Sequence, residues 1–184
     1  MTSKLNDHDL LVGIQSGDLK AFDHFYERHA PGLYLYLVSL MRNPESATDI
    51  LQDFFILLLN KLEQFIAADR IKEYLLKTAR NLTLNEISKG KSYREHLKRF
   101  GEQGRALPMT SSALEPAEAL ALTEAIVRLS GEKREIVILH LYNGLSFQEI
   151  KAVLGGHAKA HYRRYQQALQ DLKRLLQDSH NGAD

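Results

Sequence analysis

The sequence has no cysteine and no tryptophan among its 184 residues, and it has only four prolines. Without cysteine there is no disulfide, no thiol nucleophile and no zinc site built on thiolates. No apolar run approaches the roughly 20 residues that a membrane-spanning helix needs. The amino terminus lacks a basic segment followed by an apolar one, so we expect neither a secretory signal nor membrane insertion. These absences indicate a protein of the reducing cytoplasm.

Catalytic signatures are also missing from the sequence. There is no G-x-S-x-G elbow, no phosphate-binding glycine loop and no dinucleotide fingerprint. His157 and His161 have the i, i+4 spacing of two metal ligands, but no third ligand is in pattern with them. We therefore expect no enzyme activity, no catalytic residue, no metal and no cofactor. Acidic pairs at helical spacing are expected to face solvent: Asp49 with Asp53, and Glu132 with Glu135.

Charge is distributed unevenly along the chain, although the net charge is only +1. Residues 1–60 contain four Lys and Arg against eight Asp and Glu. Residues 89–105 contain six Lys and Arg against two Glu, and residues 151–174 contain six Lys and Arg against one Asp. An acidic front followed by two basic regions predicts a protein that holds two kinds of partner, one of them a polyanion.

Almost every segment has the apolar periodicity of a helix, and alternating strand patterns are scarce. We therefore predict an all-α fold of two small helical domains joined by a flexible linker. The stretch EQGRALPMTSSALEP is rich in Gly, Ser, Thr and Pro and has little periodicity, which is typical of a linker. The predicted boundaries are residues 1–101 for the first domain, 102–116 for the linker and 117–184 for the second domain.

Capping residues set the predicted helix boundaries in the first domain. Asp7 or Asp9 is expected to cap the first helix, and Pro31 is expected to kink or divide the second. A cap within 44–46 precedes a long helix over about 47–65. Phe54 and Phe55 are adjacent in that helix, so we expect one of them to point away from its apolar side.

The second domain is predicted to contain short helices over about 117–129, 131–141, 146–154 and 158–177. Gly144 is expected to end one of them, and Ser146 with Glu149 has the spacing of a capping box. A helix, the tight turn GGH at 155–157 and a further helix form a helix-turn-helix pattern. This pattern is shared by DNA-binding proteins and by ordinary helical hairpins.

The segment YLLKTARNLTLNEISKGK, residues 74–91, predicts a two-sided helix. Leu75, Ala79, Leu82 and Ile87 lie roughly on one side. Only two acids, Glu73 and Glu86, stand between positions 70 and 91, and we interpret the polar surface as one that meets a polyanion. Its cations and amides are Lys72, Lys77, Arg80, Asn81, Asn85 and Lys89.

Three stretches of the first domain, SGDLKAFDHFYERHAPGLY, DILQDFF and YLLKTARNLTLNEI, resemble region 2 of the extracytoplasmic-function (group IV) sigma factors of the sigma-70 family. LSGEKREIVILHLYNGLSFQEIKAVLG resembles region 4 of the same class. The two stretches stand in the family's order, and the similarity covers nearly the whole chain. The resemblance implies an alternative sigma factor that binds core RNA polymerase, recognises −10 and −35 promoter elements and promotes strand opening.

The resemblance also implies partners for particular residues. Core RNA polymerase would bind region 2 through its β′ clamp helices and region 4 through its β-flap tip, and an anti-sigma factor is a further expected partner. The loop over 65–71 would hold a flipped base of promoter DNA. The residues implied are, for the β′ clamp helices, Asp49, Gln52 and Asp53; for the −10 element, Phe65, Lys72, Tyr74, Lys77, Arg80, Asn81, Asn85 and Lys89; and for the −35 element, His157, Lys159, Ala160, Tyr162, Arg163 and Arg164.

The last helix departs most from the family's pattern. Gly156 takes the place of an isoleucine, and Ala160 with His161 replaces a Thr-Val pair. A glycine at a packing position loses burial worth about 1–2 kcal/mol. We therefore expect a looser region 4, an unusual −35 preference or reliance on another DNA-targeting partner. Two other functions stay open from the sequence. One is a sigma-like decoy that sequesters an anti-sigma factor, and the other is a helix-turn-helix regulator that acts without a sigma role.

Overall fold

The structure, a computed structural model, describes residues 5–94 and 116–181. These residues form helices and turns and no strand, which confirms the predicted all-α fold. The predicted linker lies outside the described residues except for Pro116, which begins a helix.

We call the helices before the linker the N-terminal bundle and those after it the C-terminal bundle. The N-terminal bundle comprises α1 (Asp7–Gln15), α2 (Leu19–Met41), α3 (Pro44–Asn60), α4 (Leu62–Ile66) and α5 (Ile71–Arg94). The C-terminal bundle comprises α6 (Pro116–Arg128), α7 (Gly131–Val137), α8 (Phe147–Leu154) and α9 (Ala158–Asn181), and α7 continues as a π-helical turn over Ile138–Tyr142.

Asparagines cap α1 and α3. The side chain of Asn6 accepts a hydrogen bond from the amide of Asp9 at 2.9 Å, and Asn43 accepts bonds from two amides of the first turn of α3. Pro44 then occupies the first helical position, where its missing amide costs no hydrogen bond. The predicted caps, Asp7 or Asp9 and a residue in 44–46, are wrong because an asparagine just upstream satisfies the same donors.

Two other boundaries differ from the prediction. Helix α2 runs without a break through Pro31, because packing against α1, α3 and α5 holds it along its length. The long helix predicted over 47–65 instead ends at Asn60, where Lys61 leaves the helical conformation. Short α4 then brings Phe65 back onto Phe54, with ring centroids 6.1 Å apart in an edge-on arrangement.

Both adjacent phenylalanines of α3 are buried, so the prediction that one points away is wrong. Phe54 is fully buried in the centre of the bundle. Phe55 lies on the side of α3 that faces α2, with its ring 4.7 Å from Tyr26 and 6.1 Å from Phe22. The helix is therefore covered on two neighbouring sides, which a single apolar stripe does not indicate.

The helix-turn-helix prediction is confirmed by α8 and α9. Ser146 Oγ accepts from the Glu149 amide at 3.3 Å, and a Glu149 carboxylate oxygen accepts from the Ser146 amide at 2.6 Å, which is the predicted capping box. Gly144 has the positive φ of 64° that was expected of a residue ending a helix.

Gly156 is a turn residue and not a packing residue. It is exposed, and its φ of 73° follows the φ of 78° at Gly155, a left-handed conformation that favours glycine. The burial in the first turn of α9 comes instead from His161, whose Nε2 lies 2.7 Å from the carbonyl oxygen of Gly155. The expectation of a packing defect at Gly156 is therefore wrong.

The two bundles pack against each other. Helix α2 contacts α7 and the π-helical turn, α5 lies along α8, and the buried apolar residues of both bundles form one cluster. At Gly32 the approach is so close that a Cβ atom would lie 2.7 Å from Asn143 Oδ1. Within residues 5–94 and 116–181, no helix combines the length and hydropathy that crossing a bilayer requires.

Replacing Phe54 by alanine is expected to lower the free energy of unfolding by about 3–5 kcal/mol, because it removes a fully buried ring from the core. Ile56→Ala is the matched control on the same helix, because Ile56 is 58% exposed and its truncation is expected to cost less than about 0.5 kcal/mol. Urea unfolding followed by helical circular dichroism measures both, and equal losses would contradict the assigned core.

Candidate nucleic-acid interface

The open side of α5 carries a stripe of polar side chains. Lys77, Asn81, Asn85 and Lys89 follow one another at intervals of four residues, and all four are exposed. This spacing places them along one strip of the helix surface. Tyr74 is half-buried close to the amino-terminal end of the strip. The side of α5 that was interpreted as facing a polyanion is thus accessible over more than three turns.

Phe65 lies beneath this surface and does not form part of it. Its side chain is 1% exposed, and its ring meets that of Tyr74 edge-on at a centroid distance of 4.9 Å. An aromatic pair of this geometry fixes the orientation of the more exposed ring. Phe65 therefore positions Tyr74, which is the aromatic side chain that solvent reaches.

Lys72 and Arg80 lie on a different side of α5, the one that faces the C-terminal bundle. Lys72 is exposed, whereas Arg80 is 26% exposed and its Nε donates a hydrogen bond to Glu135 Oε1 at 2.8 Å. The hydroxyl of Tyr36 donates to the same oxygen at 2.6 Å. One carboxylate oxygen therefore joins α2, α5 and α7.

Burial and charge shift the ionisation of this trio. Burial, reinforced by the Glu135 carboxylate, raises the pKa of the Tyr36 hydroxyl well above its ordinary value, so the tyrosine stays a neutral donor. Burial alone would lower the pKa of Arg80, but the hydrogen bond and charge of Glu135 raise it above its ordinary value. The arginine is therefore a permanent cation in this contact.

The prediction that Glu132 and Glu135 both face solvent is wrong for Glu135. Its side chain is 9% exposed, whereas that of Glu132 is 75% exposed. Glu135 precedes the apolar run IVIL, and its place beside a buried stripe was the signal that sequence reasoning missed. Tyr36 was missed as well, because a tyrosine in an apolar segment carries no sign of a distant partner.

The amino-terminal part of α9 presents most of the residues expected at the −35 element. His157, Lys159, Tyr162 and Arg163 are exposed, and Ala160 is half-buried. The Tyr162 ring lies 5.4 Å from the Phe147 ring of α8, which holds it at the edge of the turn. These side chains share one end of the helix.

Arg164 points in another direction from its neighbours. Its Nε lies 3.0 Å from a carboxylate oxygen of Glu132 on α7. His161 likewise turns inward to the Gly155 carbonyl, away from exposed His157, so the two histidines do not face a common point. In the part of the chain that the structure describes, no three His, Cys, Asp or Glu side chains are grouped as a metal site would require.

The acid and amide patch of α3 is exposed on the side opposite the core. Asp49, Gln52 and Asp53 all reach solvent on successive turns. Ile56 continues the same strip and is 58% exposed, which sequence reasoning missed. The signal was available, because Ile56 is out of phase with the apolar positions that pack the helix. The strip combines two carboxylates, an amide and an aliphatic side chain.

A polar cleft between the bundles contains Asp7. Its Oδ1 accepts a hydrogen bond from Arg28 Nη1 at 2.7 Å and lies 3.0 Å from His29 Nε2. Burial would raise the pKa of Asp7, but its hydrogen bonds and charge contacts with His29 and Arg28 outweigh burial and lower it below the ordinary 3.8. The ionised carboxylate therefore ties α1 to α2.

Each of the two bundles matches a known protein family. Residues 25–93 match the family model described as Sigma-70 region 2, and residues 119–172 match the one described as Sigma-70, region 4. The RNA polymerase sigma factor CarQ of Myxococcus xanthus is 26% identical over 165 residues, which cover 88% of this chain and 92% of CarQ. The ECF RNA polymerase sigma factor BldN of Streptomyces coelicolor is 28% identical over 176 residues, which cover 92% of this chain and 66% of BldN.

A solved structure has the same fold. The sigma factor RpoE from Bartonella quintana, crystallised in complex with the anti-sigma factor NepR, superposes with a TM-score of 0.71. The superposition covers 86% of this chain and 98% of RpoE, at 24% sequence identity. The likeness therefore extends through both bundles.

Replacing Asp7 by asparagine is expected to destabilise the chain at neutral pH by about 1–2 kcal/mol, because it removes the charged acceptor of Arg28 and the negative charge beside His29. Because the folded pKa lies below the ordinary 3.8, this stabilisation is complete above that pH and is lost as the pH falls through the folded pKa. The difference in urea midpoint between wild type and variant should therefore shrink in acid. Exposed Asp9→Asn serves as the control, and a difference that is independent of pH would contradict the assignment.

Proposed function

The chain belongs to the extracytoplasmic-function group of the sigma-70 family, and from this premise we propose how its surfaces act in transcription initiation. The resemblance inferred from the sequence is thereby confirmed. The protein is an alternative sigma factor. In our proposal residues 1–101 bind polymerase and the −10 element, residues 117–184 bind the −35 element, and residues 102–116 link the two. The observation that carries the assignment within the first domain is the exposed strip on α5.

Strand capture is the proposed role of that strip. Opening a promoter costs a few kcal/mol for each base that is unstacked and unpaired. Stacking of an extruded base on an aromatic ring recovers about 1–3 kcal/mol, and Tyr74 is the ring placed to provide it. Lys77 and Lys89 hold phosphates, and Asn81 and Asn85 offer donors and acceptors to base edges.

Duplex recognition is the proposed role of α9. The second helix of a helix-turn-helix lies in the major groove with its amino-terminal side chains at the base edges. Lys159 and Arg163 supply cations there, and the exposed ring of Tyr162 can contact a thymine methyl group. In this proposal the pairing of Arg164 with Glu132 holds α9 against α7.

Core RNA polymerase is the proposed partner of the α3 strip. Asp49 and Asp53 provide negative charge for the β′ clamp helices, Gln52 a polar contact, and Ile56 an apolar one. In the C-terminal bundle, Leu141 and Leu169 are exposed and supply apolar contacts for the β-flap tip. We further propose that the chain works in the cytoplasm, has no catalytic activity or cofactor of its own, and is held inactive by an anti-sigma factor.

Run-off transcription tests the function as a whole. Purified core RNA polymerase is given a library of genomic fragments with and without this chain, and chain-dependent transcripts are expected. Binding to core without any such transcript would indicate a decoy for an anti-sigma factor. Binding to duplex DNA without binding to core would indicate a helix-turn-helix regulator.

Replacing both Lys77 and Asn81 by alanine is expected to reduce chain-dependent open complexes by about tenfold or more, with core affinity unchanged, because both side chains lie on the exposed strip of α5. The salt dependence of promoter binding should also weaken, because one phosphate contact is lost. Permanganate footprinting and core binding measure the two effects. The double variant Lys20→Ala with Gln15→Ala, exposed at other sites, is the control, and an equal effect of both pairs would refute the assignment.

Replacing Asp49 and Asp53 together by asparagine is expected to weaken core binding by about tenfold or more, because two carboxylates lose their attraction to a basic surface. The loss should be smaller in high salt, where wild-type binding is already screened. Titration of labelled chain with core polymerase measures it. Asp23→Asn with Glu27→Gln changes the charge equally on exposed positions of α2 and should leave affinity unchanged.

A further inference from the structure

Four aromatic side chains connect the interior of the C-terminal bundle to its exposed turn. The ring of His140, in the π-helical turn, stacks on that of Phe147 with centroids 4.6 Å apart. The Tyr165 ring meets that of His140 edge-on at 4.7 Å, and the Tyr162 ring meets that of Phe147 edge-on at 5.4 Å. This aromatic cluster therefore runs from the π-helical turn through the start of α8 to the exposed part of α9.

The inner end of the aromatic cluster is held by a hydrogen bond. His140 Nδ1 lies 2.7 Å from the carbonyl oxygen of Leu145. A carbonyl oxygen only accepts hydrogen bonds, so the proton is on Nδ1. Leu145 is buried and comes directly before Ser146, the cap of α8, so the bond fixes the imidazole against the segment that leads into α8. Phe147 is the first residue of α8 and lies half-buried between the His140 and Tyr162 rings.

The outer end of the aromatic cluster is the Tyr162 ring, which solvent reaches. Tyr162 is 49% exposed, and its neighbours at i−3 and i+4 on the surface of α9 are the exposed side chains of Lys159 and Gln166. No Asp or Glu occurs between positions 149 and 171. The ring therefore adds an apolar contact to a surface whose other groups are cations and amides, the groups that bind DNA.

The contact with Phe147 restricts the orientation of the Tyr162 ring. A tyrosine on a helix surface otherwise exchanges between side-chain rotamers, whereas an edge-on pair favours one orientation. The 5-methyl group of thymine is an apolar feature of the major groove. A ring that is already held in place can bury this methyl group without a further loss of side-chain freedom. Burial of one methyl group changes affinity by about fourfold.

We propose that Tyr162 is a specificity-determining residue that selects a thymine of the −35 element through its 5-methyl group, and that Phe147 is the positioning residue that holds the Tyr162 ring for this contact. This inference rests on the proposed role of α9 at the −35 element. The cations of α9 bind phosphates of any sequence, whereas the ring distinguishes thymine from the other bases. Phe147 acts from α8, outside the helix that reads the bases.

The first test removes one methyl group at a time from the promoter. The probe is a duplex promoter found by run-off transcription, bound by the full chain together with core polymerase. Each thymine of its −35 element, in either strand, is replaced in turn by uracil, which lacks the 5-methyl group and keeps the same hydrogen-bonding groups. One replacement is expected to weaken wild-type binding by about fourfold. Tyr162→Ala should bind the thymine and uracil probes equally, whereas Tyr162→Phe keeps the ring and should retain the difference.

The second test addresses the positioning role. Phe147→Leu keeps an apolar side chain but removes the ring that meets Tyr162, so the affinity ratio of the thymine and uracil probes should fall from about four towards one. A purely structural loss would lower both affinities together and keep the ratio. Leu154→Ala is the control, because Leu154 is half-buried at the other end of α8 and its truncation should leave the ratio unchanged. Circular dichroism checks that each variant is folded, and Phe147→Met replaces Phe147→Leu if the latter is not.

The outcomes separate this inference from the proposed function. A −35 element without thymine, or equal wild-type binding of every uracil probe, would overturn the selection of thymine by Tyr162. An unchanged ratio in a folded Phe147 variant would overturn the positioning role. In both cases a loss of promoter affinity in Arg163→Ala would still support α9 as the reader of the −35 element. If Arg163→Ala binds as tightly as the wild type and the promoters share no upstream element, the proposed role of α9 is itself wrong, and this inference is wrong with it.

Discussion

The carboxylate of Glu135, buried where the two bundles meet, holds three helices through a single oxygen atom. Tyr36 and Arg80 both donate to it, and no part of the contact survives if the bundles part. Burying this carboxylate is unfavourable unless its partners are present, because only their hydrogen bonds and charge offset its desolvation. The apolar cluster that runs through both bundles stabilises their contact by burying surface. Apolar burial is not directional, so by itself it would allow one bundle to shift against the other. The shared carboxylate fixes one register of α7 against α2 and α5.

The polar surfaces of α3, α5 and α9 differ in how far solvent reaches them. The strip on α5 that begins near Tyr74 stays open, as do the acid patch of α3 and the exposed end of α9. Arg80, on the flank of α5, is instead taken up by the second bundle. The contact between the bundles therefore leaves the α3 patch accessible, while it occupies one flank of α5.

Local signals in the sequence predicted the fold well. The capping box of Ser146 and Glu149 and the positive φ of Gly144 depend on residues a few positions apart, so spacing alone identifies them. The caps of α1 and α3 were misplaced because Asn6 and Asn43 perform the same chemistry just upstream. A pattern of side-chain types locates such a boundary only to within a few residues.

Interactions between distant segments could not be predicted in the same way. Glu135 is 99 residues from Tyr36 and 55 from Arg80, and no periodicity relates them. By contrast, the cap of α8 is complete within its own first turn, through Ser146 and Glu149. Both bonds lie within residues 146–149, so neither of them depends on the contact between α8 and α5. The beginning of α8 therefore keeps its own hydrogen bonds whether or not it touches α5, so separating these two helices would require no refolding at that end.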